Sequence, residues 1–143
     1  MKKVTKPTKT SEIERNWQLV DVSGKTLGRE ATAIAQMLIG KSKPYFARNM
    51  DCGDYVVVLN AKEVKLTGKK ETDKVYTRYS GFPGGLRKTT AAEMRVKKPT
   101  EIVRHAVSGM LPKNKLRDSM LKRLYVFAGS EHTYKDRFKE VQV

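Results

Sequence analysis

Five consecutive apolar residues, Tyr55-Val56-Val57-Val58-Leu59, limit the folds open to this chain more than any other segment. A strand with one wet face alternates apolar and polar side chains, whereas an unbroken run belongs to a strand covered on both faces. Upstream, residues 17–22 form a short β-prone run that stops at Ser23-Gly24. Between the two, Leu27, Ala31, Ile34, Ala35 and Leu38 recur at three- and four-residue intervals from Thr26 until Gly40. That spacing predicts an amphipathic helix with a C-terminal glycine cap. Strand, helix and doubly covered strand, in that order, predict a right-handed βαβ crossover.

Beyond this unit the periodicity continues more thinly. Residues 74–79 read as a strand, followed by the loop Gly81-Phe82-Pro83-Gly84-Gly85. From Pro99, a good first-turn residue, Ile102, Val103, Ala106, Val107, Met110 and Leu111 mark one helical face that ends at Pro112. A short helix is expected over 114–122 and a last strand over 124–129. Residues 1–15 read as a flexible basic arm, 16–129 as a single α/β core, and 130–143 as a polar tail across the surface. No internal repeat is evident. A chain of 143 residues fits one domain that buries about two thirds of its unfolded surface.

Charge says what such a domain meets. Thirty Lys and Arg oppose fifteen Asp and Glu, a formal net charge of +15, which implies a polyanionic partner. No window approaches the apolar length of a membrane span, and no isolated basic amphipathic helix would lie on a bilayer, so nucleic acid is the expected partner. The single Cys52 excludes an internal disulfide, and with only His105 and His132 beside it no metal-ligand spacing exists. The first ten residues lack the apolar run of a secretory signal.

Catalytic patterns fail on inspection. Gly24-Lys25-Thr26 follows a strand and precedes a helix, but Leu19 stands where a phosphate-binding loop needs its first glycine, and no G-x-G-x-x-G follows the first strand. His105 lies beside Arg104 and the apolar stripe, with Ser108 three residues on and no acidic group placed to orient either. Asp51 and Asp54, flanking Cys52-Gly53, are read as acceptors for turn amides and as internal ion-pair partners. No cofactor and no small-molecule substrate are expected.

What remains is cationic loops. Arg87-Lys88 closes the Gly-Pro-Gly-Gly segment, and Gly109-Met110-Leu111-Pro112-Lys113-Asn114-Lys115-Leu116 repeats the combination of turn formers with lysines. Cations over a phosphate backbone give affinity, and interleaved aromatic rings can stack on unpaired bases. The expected RNA-binding set is Lys25, Arg29, Lys69, Lys70, Arg78, Phe82, Gly84, Gly85, Arg87, Lys88, Lys113, Asn114, Lys115, Arg117 and Arg123.

Over about residues 16 to 132 the chain resembles the bacterial family of large-subunit ribosomal protein thirteen. The opening strand with Gly24-Lys25-Thr26-Leu27-Gly28-Arg29, the central strand Gly53 to Ala61, and the turn Thr67-Gly68-Lys69-Lys70 are similar to that family's segments in the same order. So are Ser80 to Leu86, Ala106 to Asn114, and Leu124 to Gly129 with His132. The chain departs from the usual pattern at Tyr79, at Arg117-Asp118 and at Thr133-Tyr134-Lys135. The resemblance implies a three-layer α/β/α core with a four-stranded mixed, mostly parallel sheet and basic loop extensions. It also implies a non-enzymatic, cytoplasmic constituent of the large ribosomal subunit that binds its 23S-type RNA, touches neighbouring large-subunit proteins and acts early in assembly. An RNA-binding regulator outside the ribosome, or an α/β enzyme acting on RNA or nucleotides, are the rival readings.

Overall fold

Strand β1 (Trp17–Asp21) runs into helix α1 (Leu27–Ile39), and the chain returns as β2 (Tyr55–Leu59), parallel to β1 from Trp17 opposite Tyr55 to Asp21 opposite Leu59. This is the expected crossover, seen in a computed structural model that describes residues 7–138. Leu27, Ala31, Ile34, Ala35 and Leu38 form the buried stripe of α1, and the helix stops where Gly40 turns left-handed at φ 77°, its N–H reaching Gln36 and Met37. From β2 the chain passes through the four-residue helix α2 (Lys70–Asp73), strands β3 (Val75–Tyr79) and β4 (Leu86–Thr90), and helices α3 (Ala91–Lys97), α4 (Pro99–Met110) and α5 (Leu116–Lys122). It then adds β5 (Leu124–Val126) parallel to β2 on the side away from β1.

The core lies on one face of the β1-β2-β5 sheet. Val20, Val56, Val58 and Leu124 point there and join Ile34 and Leu38 of α1, Ile102, Val103 and Val107 of α4, and Met120 of α5. Each such side chain taken out of water contributes about 1.5–3 kcal/mol, which sets the scale of what holds these helices to the sheet.

Side chains of the opposite face meet rings instead of a helical layer. The Trp17 indole stacks on Tyr55 at 4.6 Å and 12° and lies 5.9 Å from Tyr125, while Tyr134 and Phe138 close over it from the C-terminal segment at 5.2 and 6.2 Å. Arg137 places its guanidinium 5.7 Å from the same indole. The unbroken apolar run of β2 is thus explained, since Val57 has no exposure at all. The covering described on this second face comes from aromatic rings of residues 125–138, Phe138 among them on the short 3-10 turn Lys135–Phe138.

The expected four-stranded mixed sheet is corrected. Among the described residues the main sheet has three strands, all parallel, and β3 pairs with β4 as a separate antiparallel hairpin. The reason is burial. A strand with Arg78 and an exposed Tyr79, paired to one with Arg87 and Lys88, has no apolar face to insert between layers. Arg95 of α3 fastens the base of the hairpin, donating to both carboxylate oxygens of Glu71 at 2.7 and 3.0 Å and to the carbonyls of Lys62 and Val64. The Glu71 carboxyl is held below its usual range chiefly by that hydrogen bond from Arg95.

The segment before β1 is fastened too. Arg15 donates to the carbonyls of Gly53 and Asp51, Thr8 to that of Tyr45, and Lys43 to that of Glu14, so residues 8–15 run along the loop that precedes β2. The first six residues of the expected arm lie outside the described residues, as do residues 139–143 of the expected tail. Beneath this segment Arg123 is buried, bonded to the Asp51 carboxylate, to the Leu38 carbonyl at 3.1 Å and to the Asp54 carbonyl at 3.3 Å. Asp54, buried as well, accepts the Asn16 amide at 3.0 Å and pairs with Lys43. Both aspartates take the ion-pair role read from the sequence, while the amide that Asp54 accepts is that of Asn16, 38 residues away, and not one of its own turn.

Candidate nucleic-acid interface

The hairpin carries six of the expected site residues, of which Arg78, Phe82, Gly84, Arg87 and Lys88 are exposed and Gly85 is half-buried. Its register sets Arg78 directly opposite Arg87, Thr77 opposite Lys88 and Tyr79 opposite Leu86. Like charges facing each other across an antiparallel pair repel at close range, so this ladder is stabilised when an anion sits against it. At the tip the Ser80 N–H reaches the Gly85 carbonyl at 3.3 Å and the Gly85 N–H reaches the Phe82 carbonyl at 3.0 Å. Gly84 holds φ at 72° with open space where a side chain would project, and Phe82 is 74% exposed. Turn geometry, an exposed ring and paired guanidinium groups therefore share one projecting element. Tyr76, on the same strand, turns inward to within 5.4 Å of the His105 ring, and burial, with a smaller push from the Glu71 charge, raises its phenol above the usual range.

A second group gathers at the start of α1. Lys25 and Arg29 are exposed there, with Lys25 3.7 Å from Glu30, and Lys69 and Lys70 stand across a groove from Gly28. The third group follows α4. Leu111 is buried and anchors the turn, leaving Lys113, Asn114 and Lys115 exposed while the Asn114 carbonyl accepts the Arg117 N–H. Arg117 is half-buried, its guanidinium donating to the Ser108 hydroxyl at 2.8 Å. Ser108 is thereby engaged by Arg117, and His105 faces Tyr76, so the two do not form a nucleophile and base pair.

Arg123 is placed apart from the rest of the expected set, 7% exposed and committed to Asp51. A guanidinium so enclosed holds α1, the 50s loop and β5 together and presents no donor to a ligand. Sequence reasoning also passed over Lys65 and Lys74, which border the same groove as Lys69 and Lys70. The signal that could have found them is the recurrence of lysine at 65, 69, 70 and 74 around an otherwise apolar Leu66.

The family described as Ribosomal protein L13 matches residues 15–133. The chain is similar to "Large ribosomal subunit protein uL13" of Syntrophotalea carbinolica, 52% identical over 130 residues that cover 91% of this chain and 92% of the relative. The protein of the same name from Clostridioides difficile is 53% identical over 133 residues, 93% of each chain. That of Geobacillus kaustophilus is 50% identical over 139 residues, 97% of this chain and 96% of the relative.

Proposed function

Because the chain belongs to the ribosomal protein L13 family, we propose that it is a structural constituent of the large ribosomal subunit that binds the subunit's RNA and helps the particle assemble. The role is structural and not catalytic. The observation that carries it is the match over residues 15–133, which takes in the hairpin, the start of α1 and the turn after α4. The 23S type of the RNA, contacts with neighbouring large-subunit proteins and a cytoplasmic setting in the ribosome belong to the same proposal, and among the described residues no helix is long and apolar enough to cross a membrane.

The mechanism follows from charge held in shape. Rigid turns carry cations to phosphates, releasing condensed counterions, while exposed Phe82 offers a ring to an unpaired base. If about five phosphates are engaged, log K for large-subunit RNA falls against log salt with a slope of about −3 to −5. Filter binding across a salt series measures it, and a flat line would remove the electrostatic mechanism. Sedimentation of tagged protein with large subunits tests the cellular setting.

Shape and charge in the hairpin can be separated. Val at Gly84 meets no neighbour but is forced to φ 72°, a strain of about 1–2 kcal/mol, so the turn reshapes. Val at Gly85 would put its Cβ 2.0 Å from the Ser80 hydroxyl and 2.9 Å from the Phe82 carbonyl, opening the same turn. Both variants keep every cation and are expected to enter large subunits poorly. Arg87→Ala with Lys88→Ala leaves the turn intact, and is expected to weaken RNA binding and reduce the salt slope by about one to two. Normal incorporation of both glycine variants, folded by circular dichroism, would show that the loop is not a shaped contact.

A further inference from the structure

We propose that the groove between the start of α1, residues 65–74 and the end of α4 receives a single unpaired nucleotide of the bound RNA; the proposal rests on the RNA-binding reading above. The groove has a volume of about 590 Å³. That lies within the roughly 300–1,000 Å³ of sites that take small organic ligands. Its chemistry is divided. Leu66, Ala106 and Met110 supply an apolar floor, with Met110 42% exposed. Lys65, Lys69, Lys70 and Lys74, all exposed, surround it with Asp73 as the one acidic neighbour. None of these four lysines enters an ion pair of the described residues; Lys70 donates to the Thr67 hydroxyl at 3.3 Å and Lys74 lies 5.3 Å from the Tyr76 ring centroid, neutral partners that leave the positive charge for a ligand.

An apolar recess ringed by uncompensated ammonium groups matches a nucleotide, whose base is flat and weakly hydrated on its faces while its phosphate is anionic. A base inside a duplex cannot enter, since its faces are stacked on its neighbours; an unpaired one can. Lysines suit the rim because a phosphate swinging with its ribose needs charge more than fixed bidentate geometry. The walls are already in place. The Leu27 N–H reaches the Lys65 carbonyl at 3.0 Å and the Lys65 N–H reaches the Lys25 carbonyl at 2.8 Å, which pins the lysine-bearing segment to the first turn of α1.

The test titrates the full chain with a short single-stranded oligoribonucleotide carrying one central 2-aminopurine, with the same sequence as a perfect duplex, and with AMP. The wild type is expected to change the 2-aminopurine emission on binding the single strand. Ala106→Leu fills the floor without touching charge, and is expected to weaken single-strand binding about tenfold and abolish the emission change, with duplex affinity within about twofold. Lys65→Gln with Lys74→Gln, its fold checked by circular dichroism because the Lys74 ammonium lies over the Tyr76 ring, is expected to lower the single-strand salt slope by about one to two. An unchanged single-strand affinity and emission in folded Ala106→Leu, or an unchanged salt slope in the lysine pair variant, would overturn the groove as a base site while leaving RNA binding standing. AMP binding as tightly as the oligonucleotide would overturn an RNA strand as the occupant. Failure of the wild type to bind either RNA would overturn the RNA reading itself, and the groove proposal with it.

Discussion

Val57→Asp is expected to leave no folded protein at ordinary temperature. Val57 is fully buried at the centre of the middle strand, paired to Leu19 on one side and Tyr125 on the other, with rings covering the face it points to. An unpaired carboxylate there finds no donor, and the several kcal/mol this costs is comparable with the total of about 5–15 kcal/mol that keeps a domain folded. Leu19→Asp is the control. It changes the residue next to Val57 in register, but Leu19 is 48% exposed, so its loss is expected to be within about 1 kcal/mol. Thermal melts followed by circular dichroism compare the two, and similar melting temperatures would show that β2 is not the enclosed strand.

Gly53→Ala is expected to be nearly as damaging, although it adds one methyl group. A Cβ at Gly53 would stand 1.7 Å from the Leu38 carbonyl oxygen, 2.4 Å from its carbon and 2.9 Å from the Arg123 guanidinium. Two of those atoms are backbone in the last turn of α1, so relief requires the helix and the 50s loop to separate, which also pulls Asp51 from Arg123. The cost is expected to be about 3 kcal/mol or more, read as a shift in the urea midpoint. Gly109→Ala gives the opposite sign. Its Cβ meets nothing within 4 Å and the position is helical, so a gain of about 0.5–1 kcal/mol is expected.

Periodicity revealed the parts of this fold that bury an uninterrupted stripe. Strand β1, helices α1 and α4, the enclosed β2 and the glycine stop at Gly40 were legible because burial imposes a spacing on the residues. Of the elements without a buried stripe, β3 was still read as a strand over 74–79, whereas β4 and α3 were not read at all. Strand β4 is Leu-Arg-Lys-Thr-Thr with Leu86 55% exposed, and in α3 only Ala91 is buried, so neither carries a signal that separates it from a basic loop. The run 55–59 announced two covered faces but could not say what covers the second, because Tyr134 and Phe138 come from a polar stretch. The cationic loops were legible as types of residue. Which cations are free was not. Nothing local distinguishes Arg123 from Lys122, and the Asp51 that claims it is 72 residues away. The groove bordered by Lys65 and Lys74 is likewise made by the meeting of three distant segments.

The late position of β5 has a consequence for the order in which the protein comes into being. Leu124 completes the sheet beside Val56, Arg123 closes on Leu38 across 85 residues, and Tyr134 and Phe138 then cover Trp17. Translation delivers roughly 5–20 residues per second, so α1 and β2 wait for seconds before the residues that enclose them exist. Every free cation of the three exposed groups precedes Arg123 in the chain. The emerging polypeptide is therefore a polycation before it is a surface, able to adhere to any nucleic acid nearby and to discriminate among none. Charge arrives first in synthesis, and selectivity waits for the last strand.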